Sequence, residues 1–141
     1  MHLGQIVSFL VLTALPFTAS AQDGSDGGTD PSLSISLDSL TQIEGTCRLT
    51  FVAENGTGSD IGQLVLEAVA FGSDGGVARL SLFDFRELPA GVPRVRQFDL
   101  PQMACGDVGS MLVNGVQTCE GTADCADALT VSSRADIELL G

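Results

Sequence analysis

The chain has no tryptophan, no tyrosine and no lysine, and its single histidine is His2. Each absence removes a kind of chemistry. With no histidine beyond position 2, there is no imidazole base for a Ser–His–Asp or Cys–His nucleophile and no imidazole ligand for a metal. With no Trp or Tyr, the usual stacking platforms for sugars and single-stranded bases are missing. With no Lys, positive charge rests on 6 arginines against 18 Asp and Glu, for a net charge of −12. A surface of that sign repels phosphate, which makes nucleic acid and anionic lipid head groups poor partners. The bland reading of that charge is that it keeps an exported protein soluble and monomeric; the alternative is an acidic surface selected for one cationic partner. No catalytic residue, no metal ligand and no cofactor is expected. A carboxylate-based enzyme or metal-binding protein survives only as an alternative that the acidic surplus permits.

Long apolar runs are also scarce. Ile6 to Leu15 is one, broken by Pro16 and followed by Ala19-Ser20-Ala21. It is shorter than the roughly 20 apolar residues that span a bilayer, and its small terminal residues suit signal peptidase. Residues 1–21 therefore read as a signal peptide, although no Lys or Arg precedes the apolar run. Residues 22–31 form an acidic, glycine-rich leader. Asp23, Asp26 and Asp30 are spaced by three and then four residues, and no Glu follows before Glu44. Calcium loops place their oxygens at alternate positions with a late bidentate Glu, so a disordered leader is expected instead. Residues 32–141 remain as one domain, in the periplasm or secreted.

There are 4 cysteines, Cys47, Cys105, Cys119 and Cys125, with no Cys-x-x-Cys among them. An even number in an exported chain reads as two disulfides. None follows the signal closely, which argues against a lipid anchor.

From Leu33 onward the hydrophobic period is two. Leu33, Ile35 and Leu37 alternate with polar neighbours, as do Cys47, Leu49, Phe51 and Ala53. Further strands are expected over Gln63–Phe71, Val77–Phe85, Val95–Leu100, Met111–Thr118 and Leu129–Leu139. Val95 and Phe98 differ in parity, so a bulge is expected near Arg96 or Gln97. Asn114-Gly115 would allow the sixth segment to be a tight hairpin instead of one strand. Asn55-Gly56-Thr57 matches a glycosylation acceptor, but turn chemistry explains it. No helix is expected after the signal. About seven short strands separated by turn residues predict an all-β fold, an antiparallel immunoglobulin/fibronectin-like β-sandwich. With a continuous sixth strand, alternating strand directions bring Cys47 and Cys105 to one end and Cys119 and Cys125 to the other. The expected pairs are Cys47–Cys105 and Cys119–Cys125.

Gly72-Ser-Asp-Gly-Gly76 is a strong hairpin signal. Symmetric pairing about Asp74 puts Leu66 opposite Leu82 and Ala68 opposite Leu80 on one face. The other face then carries Val65 opposite Phe83, Val69 opposite Arg79, Phe71 opposite Val77, and Gln63 beside Phe85. A sandwich sheet needs only one buried face, so the second is either covered by other segments or exposed to a partner. Val65, Val69, Phe83 and Phe85, with Arg79 at the rim, are the expected partner-binding residues. Arg79, Arg86, Arg94 and Arg96 form a basic cluster here, unless they pair with nearby Asp84, Glu87 and Asp99.

The segments Cys47-Arg-Leu-Thr-Phe-Val-Ala-Glu-Asn-Gly-Thr-Gly, Leu82-Phe-Asp-Phe, Leu88-Pro-Ala-Gly, Arg94-Val-Arg-Gln-Phe-Asp-Leu and Ser132-Ser-Arg-Ala-Asp-Ile-Glu resemble small exported proteins of unknown function from the Rhodobacter group of bacteria. Those proteins are often labelled as carrying a Tat signal, whereas this chain has no twin arginine. The Asn-Gly turn, the Leu-x-Phe hairpin and the Leu-Pro-Ala-Gly loop are more loosely similar to bacterial immunoglobulin-like envelope modules. Neither resemblance implies catalytic residues. The expected function is a non-enzymatic binding or accessory module for another envelope protein; the alternative is a soluble structural envelope protein without a discrete partner.

Overall fold

The computed structural model describes Met1, Gly4, Ala14 and residues 30–141. The expected signal peptide and almost all of the expected leader lie outside the described residues. Eight strands follow in chain order: β1 (Ser32–Ile43), β2 (Thr46–Gly56), β3 (Ile61–Gly72), β4 (Val77–Leu88), β5 (Arg94–Leu100), β6 (Val108–Glu120), β7 (Leu129–Ser133) and β8 (Glu138–Leu140). They build two four-stranded sheets, ordered β5-β2-β1-β7 and β4-β3-β6-β8. The fold is an all-β sandwich. Its β1-β2-β5 and β3-β6 neighbours repeat the A-B-E and C-F relations of an immunoglobulin sandwich. The C-terminal strands depart from a purely antiparallel plan, since β7 runs parallel to β1 and β8 parallel to β6.

Alternation dictates what lies between the sheets. Leu33, Ile35 and Leu37 of β1 and Leu49, Phe51 and Ala53 of β2 are buried from one side. Leu64, Leu66 and Ala68 of β3, Phe83 and Phe85 of β4, and Met111 of β6 are buried from the other. A bulge between Leu37 and Ser39 lets β1 continue with Leu40 still against the core. Phe51 and Phe98 of the first sheet meet Phe83 and Phe85 of the second. Phe83 and Phe98 stack at 4.4 Å, and Phe51 lies 5.6 Å from Phe85 in an edge-on arrangement. Offset and edge-on pairs of this kind add about 0.5–1.5 kcal/mol each beyond burial.

Both disulfides form as expected, Cys47–Cys105 and Cys119–Cys125. The reason is that β6 is continuous through Asn114 and Gly115, so no hairpin returns Cys119 to the wrong end. The two bridged pairs fit an oxidising compartment outside the cytoplasm. Among the described residues, no helix is long and apolar enough to cross a membrane.

Other expectations are corrected. The clean alternation of Leu129–Leu139 is two strands, not one. After Ser133 the chain leaves the first sheet: Arg134 N donates to Leu37 O at 2.8 Å, Ser133 Oγ donates to Ile137 O at 2.6 Å, and β8 then joins the second sheet. One helical turn, α1 (Cys125–Ala128), precedes β7, capped by the Asp124 side chain accepting from Asp127 N at 3.1 Å. β5 has no bulge, and its register against β2 is unbroken from Leu100 to Arg94. Val95 accordingly faces solvent at 59% exposure, and Arg96 takes the inward position beside Phe98. Its Nε donates to Phe85 O at 2.6 Å and its Nη2 to Glu87 O at 3.0 Å. Arg96 thus reaches from the edge of one sheet to carbonyls on the edge of the other, which blunts β4 as a template for strand addition.

Asn55 is the one buried polar side chain among the described residues. Its Nδ2 donates to Ser59 O at 2.8 Å and Leu88 O at 2.7 Å, while Oδ1 accepts from Thr57 N and Oγ1. At 1% exposure it is inaccessible to glycosylation in the folded chain. It ties the β2–β3 connection to the end of β4.

Candidate docking face

The β3–β4 hairpin turns where the glycines predict. Gly72 N donates to Gly76 O at 2.8 Å, and Asp74 Oδ1 accepts from Gly76 N at 3.0 Å. Gly75 sits at φ 84°, where a side chain would be strained. The pairing beyond the turn is not symmetric. Phe71 opposes Val77 as expected, but Ala70 opposes Arg79, leaving Ala78 as an extra residue. The next pairs are shifted by one, Val69 meeting Leu80, Glu67 meeting Leu82, Leu66 meeting Phe83 and Val65 meeting Asp84, before a second irregularity sets Leu64 against Arg86.

A one-residue slip exchanges the two faces of a strand. Phe83 and Phe85, expected on the outer face, are core residues at 4% and 1% exposure. Arg79 opposes the buried Ala70 and stands on the inner side at the margin of the sheet, away from Val65 and Val69. Val65 and Val69 do face outward, and Leu80 and Leu82 take the places assigned to the phenylalanines. The two-faced apolar hairpin is therefore present with different residues.

Register extends this face across the whole sheet. Leu80 of β4 opposes Val69 of β3, Val69 opposes Leu112 of β6, and Leu112 opposes Leu140 of β8. Residues directly opposite one another share a face, so these four form one apolar row spanning the sheet. Leu80 and Leu82 are each 57% exposed and Leu140 46%. Val69 is buried at 6%, being flanked by leucines on both sides. Beside this row, Val77 and Phe71 continue the apolar surface towards the hairpin turn. On the other side, Leu82 opposes Glu67, which opposes Gly115, and Asp84 opposes Val65, which opposes Thr118. Amide side chains hold both carboxylates. Asn114 Nδ2 donates to Glu67 Oε1, and Gln63 Nε2 donates to Asp84 Oδ2 at 3.1 Å.

Leu80, Leu82, Leu112 and Leu140 are the functional candidates that sequence reasoning missed. A signal for Leu80 and Leu82 was there, since both faces of the hairpin are apolar under either register. Leu140 followed only if the last alternating segment was split between two sheets.

The expected basic cluster is split: Arg79 lines a hollow beside the hairpin turn, whereas Arg86 and Arg96 line another together with Arg48. Arg48 pairs with Asp99 through two hydrogen bonds of 2.8 and 3.0 Å on the outer face of the first sheet. This bond holds the Asp99 carboxyl below its ordinary value. Arg96 is absorbed in the inter-sheet contact, and Arg86 opposes the buried Leu64 in a left-handed conformation at φ 58°. An open hollow of about 550 Å³ between β1 and the β7–β8 connection is lined by Asp38, Leu40, Cys105, Arg134 and Ile137, and its cation is already 3.5 Å from Asp38. Among the described residues, no group of His, Cys, Asp and Glu side chains is placed to hold a metal ion.

No protein-family model, curated protein or solved structure matches this chain. Its class is defined by architecture alone, as a disulfide-linked all-β sandwich.

Proposed function

We propose that the protein is a non-enzymatic exported module, periplasmic or secreted, that binds another envelope protein through the outer face of the β4-β3-β6-β8 sheet. One observation carries this reading: the apolar row Leu80–Val69–Leu112–Leu140 crosses all four strands on a face the sandwich does not need to bury, with Leu80 and Leu82 each 57% exposed. Contiguous exposed apolar surface with a polar rim is the composition of an interaction site. The two disulfides and the acidic surface support a role outside the cytoplasm.

The test is chemical crosslinking in the native envelope, followed by pull-down of the chain and of its Leu80→Ser/Leu82→Ser variant. The reading expects one stoichiometric partner with the natural chain, lost from a variant that melts at an unchanged temperature. A partner retained by the folded variant contradicts it.

A further inference from the structure

We propose that the occupant of this face is a protein surface of apolar side chains interleaved with lysine or arginine. The inference rests on the docking reading above and adds the partner's chemical class.

Charge on the face is of one sign. Outward positions hold Glu67 and Asp84 beside the leucines, with Glu138 opposite Ser110 and Glu120 opposite Gln63 further out. No basic residue shares the face. Both arginines of β4 belong to the other side, Arg79 opposite Ala70 and Arg86 opposite Leu64. The ion pairs among the described residues are Arg48–Asp99, Arg96–Glu87 and Arg134–Asp38, so neither Glu67 nor Asp84 is in one; Asp84 Oδ1 also accepts from the backbone N of Arg86 at 2.8 Å. Their amide partners, Asn114 and Gln63, orient each carboxylate without neutralising it. Each carboxylate keeps lone pairs for a further donor. Two fixed acids within one strand spacing of exposed leucine therefore select an apolar surface with a cationic rim.

The same charges disfavour the other occupants. A second copy docked face to face would set these acids against one another, in a chain whose net charge is −12. An anionic lipid surface would be repelled for the same reason.

The test uses the full exported chain and two fluorescent synthetic β-hairpin peptides, one with leucine and lysine on a single face and one with leucine and glutamate. Binding is read by anisotropy at low and high salt, and self-association by sedimentation. The leucine–lysine hairpin is expected to bind with 1:1 stoichiometry and to weaken in high salt. Glu67→Gln/Asp84→Asn should weaken it about tenfold. Leu80→Ser/Leu82→Ser should abolish binding, and the charge-matched control Glu54→Gln/Asp136→Asn should leave it unchanged. Equal weakening by that control overturns the proposal, because it marks diffuse charge attraction. Equal affinity for the leucine–glutamate hairpin overturns it as well, as does a dimer that Leu80→Ser/Leu82→Ser dissolves. The pull-down separates this failure from failure of the docking reading. An envelope partner lost with Leu80→Ser/Leu82→Ser but kept at full strength by Glu67→Gln/Asp84→Asn leaves the face standing and removes the cationic partner. A partner kept by both variants removes the face.

Discussion

The two sheets bury similar inner faces and expose very different outer ones. On the β5-β2-β1-β7 sheet the outward rows read Asp99–Arg48–Thr41, Gln97–Thr50–Ser39 and Val95–Val52–Ser36–Ser132. Their polar groups are spent on one another: Arg48 binds Asp99, and Gln97 Nε2 donates to Thr50 Oγ1 at 3.1 Å. On the β4-β3-β6-β8 sheet the matching rows are Leu80–Val69–Leu112–Leu140 and Leu82–Glu67–Gly115. Both outer faces belong to four-stranded sheets of one sandwich and have equal freedom to be polar. Stability of the sandwich explains the inner leucines and phenylalanines of both sheets, but it does not explain leucines turned to solvent on one sheet only. That asymmetry, rather than any single residue, is the basis of the functional reading.

The strongest way to break the comparison is to challenge the register on which it depends. Phe83→Ala should cost about 3–5 kcal/mol, because it empties a core site against Phe51 and Phe98. Its neighbour Leu82→Ser should change stability by no more than about 0.5 kcal/mol, since Leu82 is a surface side chain. Denaturant melts of the two variants measure this directly, and reversed magnitudes would restore the symmetric hairpin. Next in size is Cys47→Ala/Cys105→Ala. This bridge closes 58 residues, and its loss should cost about 4 kcal/mol by chain entropy, against about 2 kcal/mol for Cys119→Ala/Cys125→Ala, which closes 6. Asn55→Ala should cost about 1–3 kcal/mol, since it leaves the buried-side carbonyl of Leu88 without its donor and Ser59 O with only Thr57 Oγ1. None of these core or bridge changes should alter binding by the outer face while the chain remains folded.

The smallest effect sharpens the polar side of the comparison. The Arg48 guanidinium, chiefly through its hydrogen bonds, holds the Asp99 carboxyl below the usual carboxylate range. A group with a lowered folded value contributes stability above its unfolded value, and that contribution is lost as pH falls through the lowered value. Asp99→Asn should therefore reduce the melting temperature slightly above about pH 4 and leave it unchanged at the acid end of a series from about pH 5 to 2. Exposure of both side chains keeps the effect small.

Much of this fold is written locally. Alternation locates the first five strands, and the odd–even logic of strand direction pairs the cysteines. What alternation does not encode is an extra residue. The bulge at Ala78 leaves the apolar pattern of β4 intact, because leucines and phenylalanines occupy both parities from Leu80 to Phe85. Either register therefore satisfies period two, and the choice falls to tertiary packing of Phe83 and Phe85 against Phe51 and Phe98. The same reasoning hid the break at Arg134, where β7 and β8 keep one alternating pattern while changing sheets. In β5, Arg96 occupies an inward site that hydropathy assigns to an apolar residue. Its stem lies along the core margin and its guanidinium finds backbone carbonyls. α1 has only 4 residues, too few for any helical period to register.

Footprinting by carbene labelling puts the contrast between the faces to the most direct test. The full chain would be labelled once purified and once in intact cells, and modification compared at Leu80, Leu82, Leu112 and Leu140 on one face and at Val52 and Val95 on the other. A docking face requires the four leucines to label freely in the purified chain and to be protected in the envelope, with the two valines labelling alike in both. Equal labelling of the leucines in both settings would contradict the account, as would leucines already protected in the purified chain.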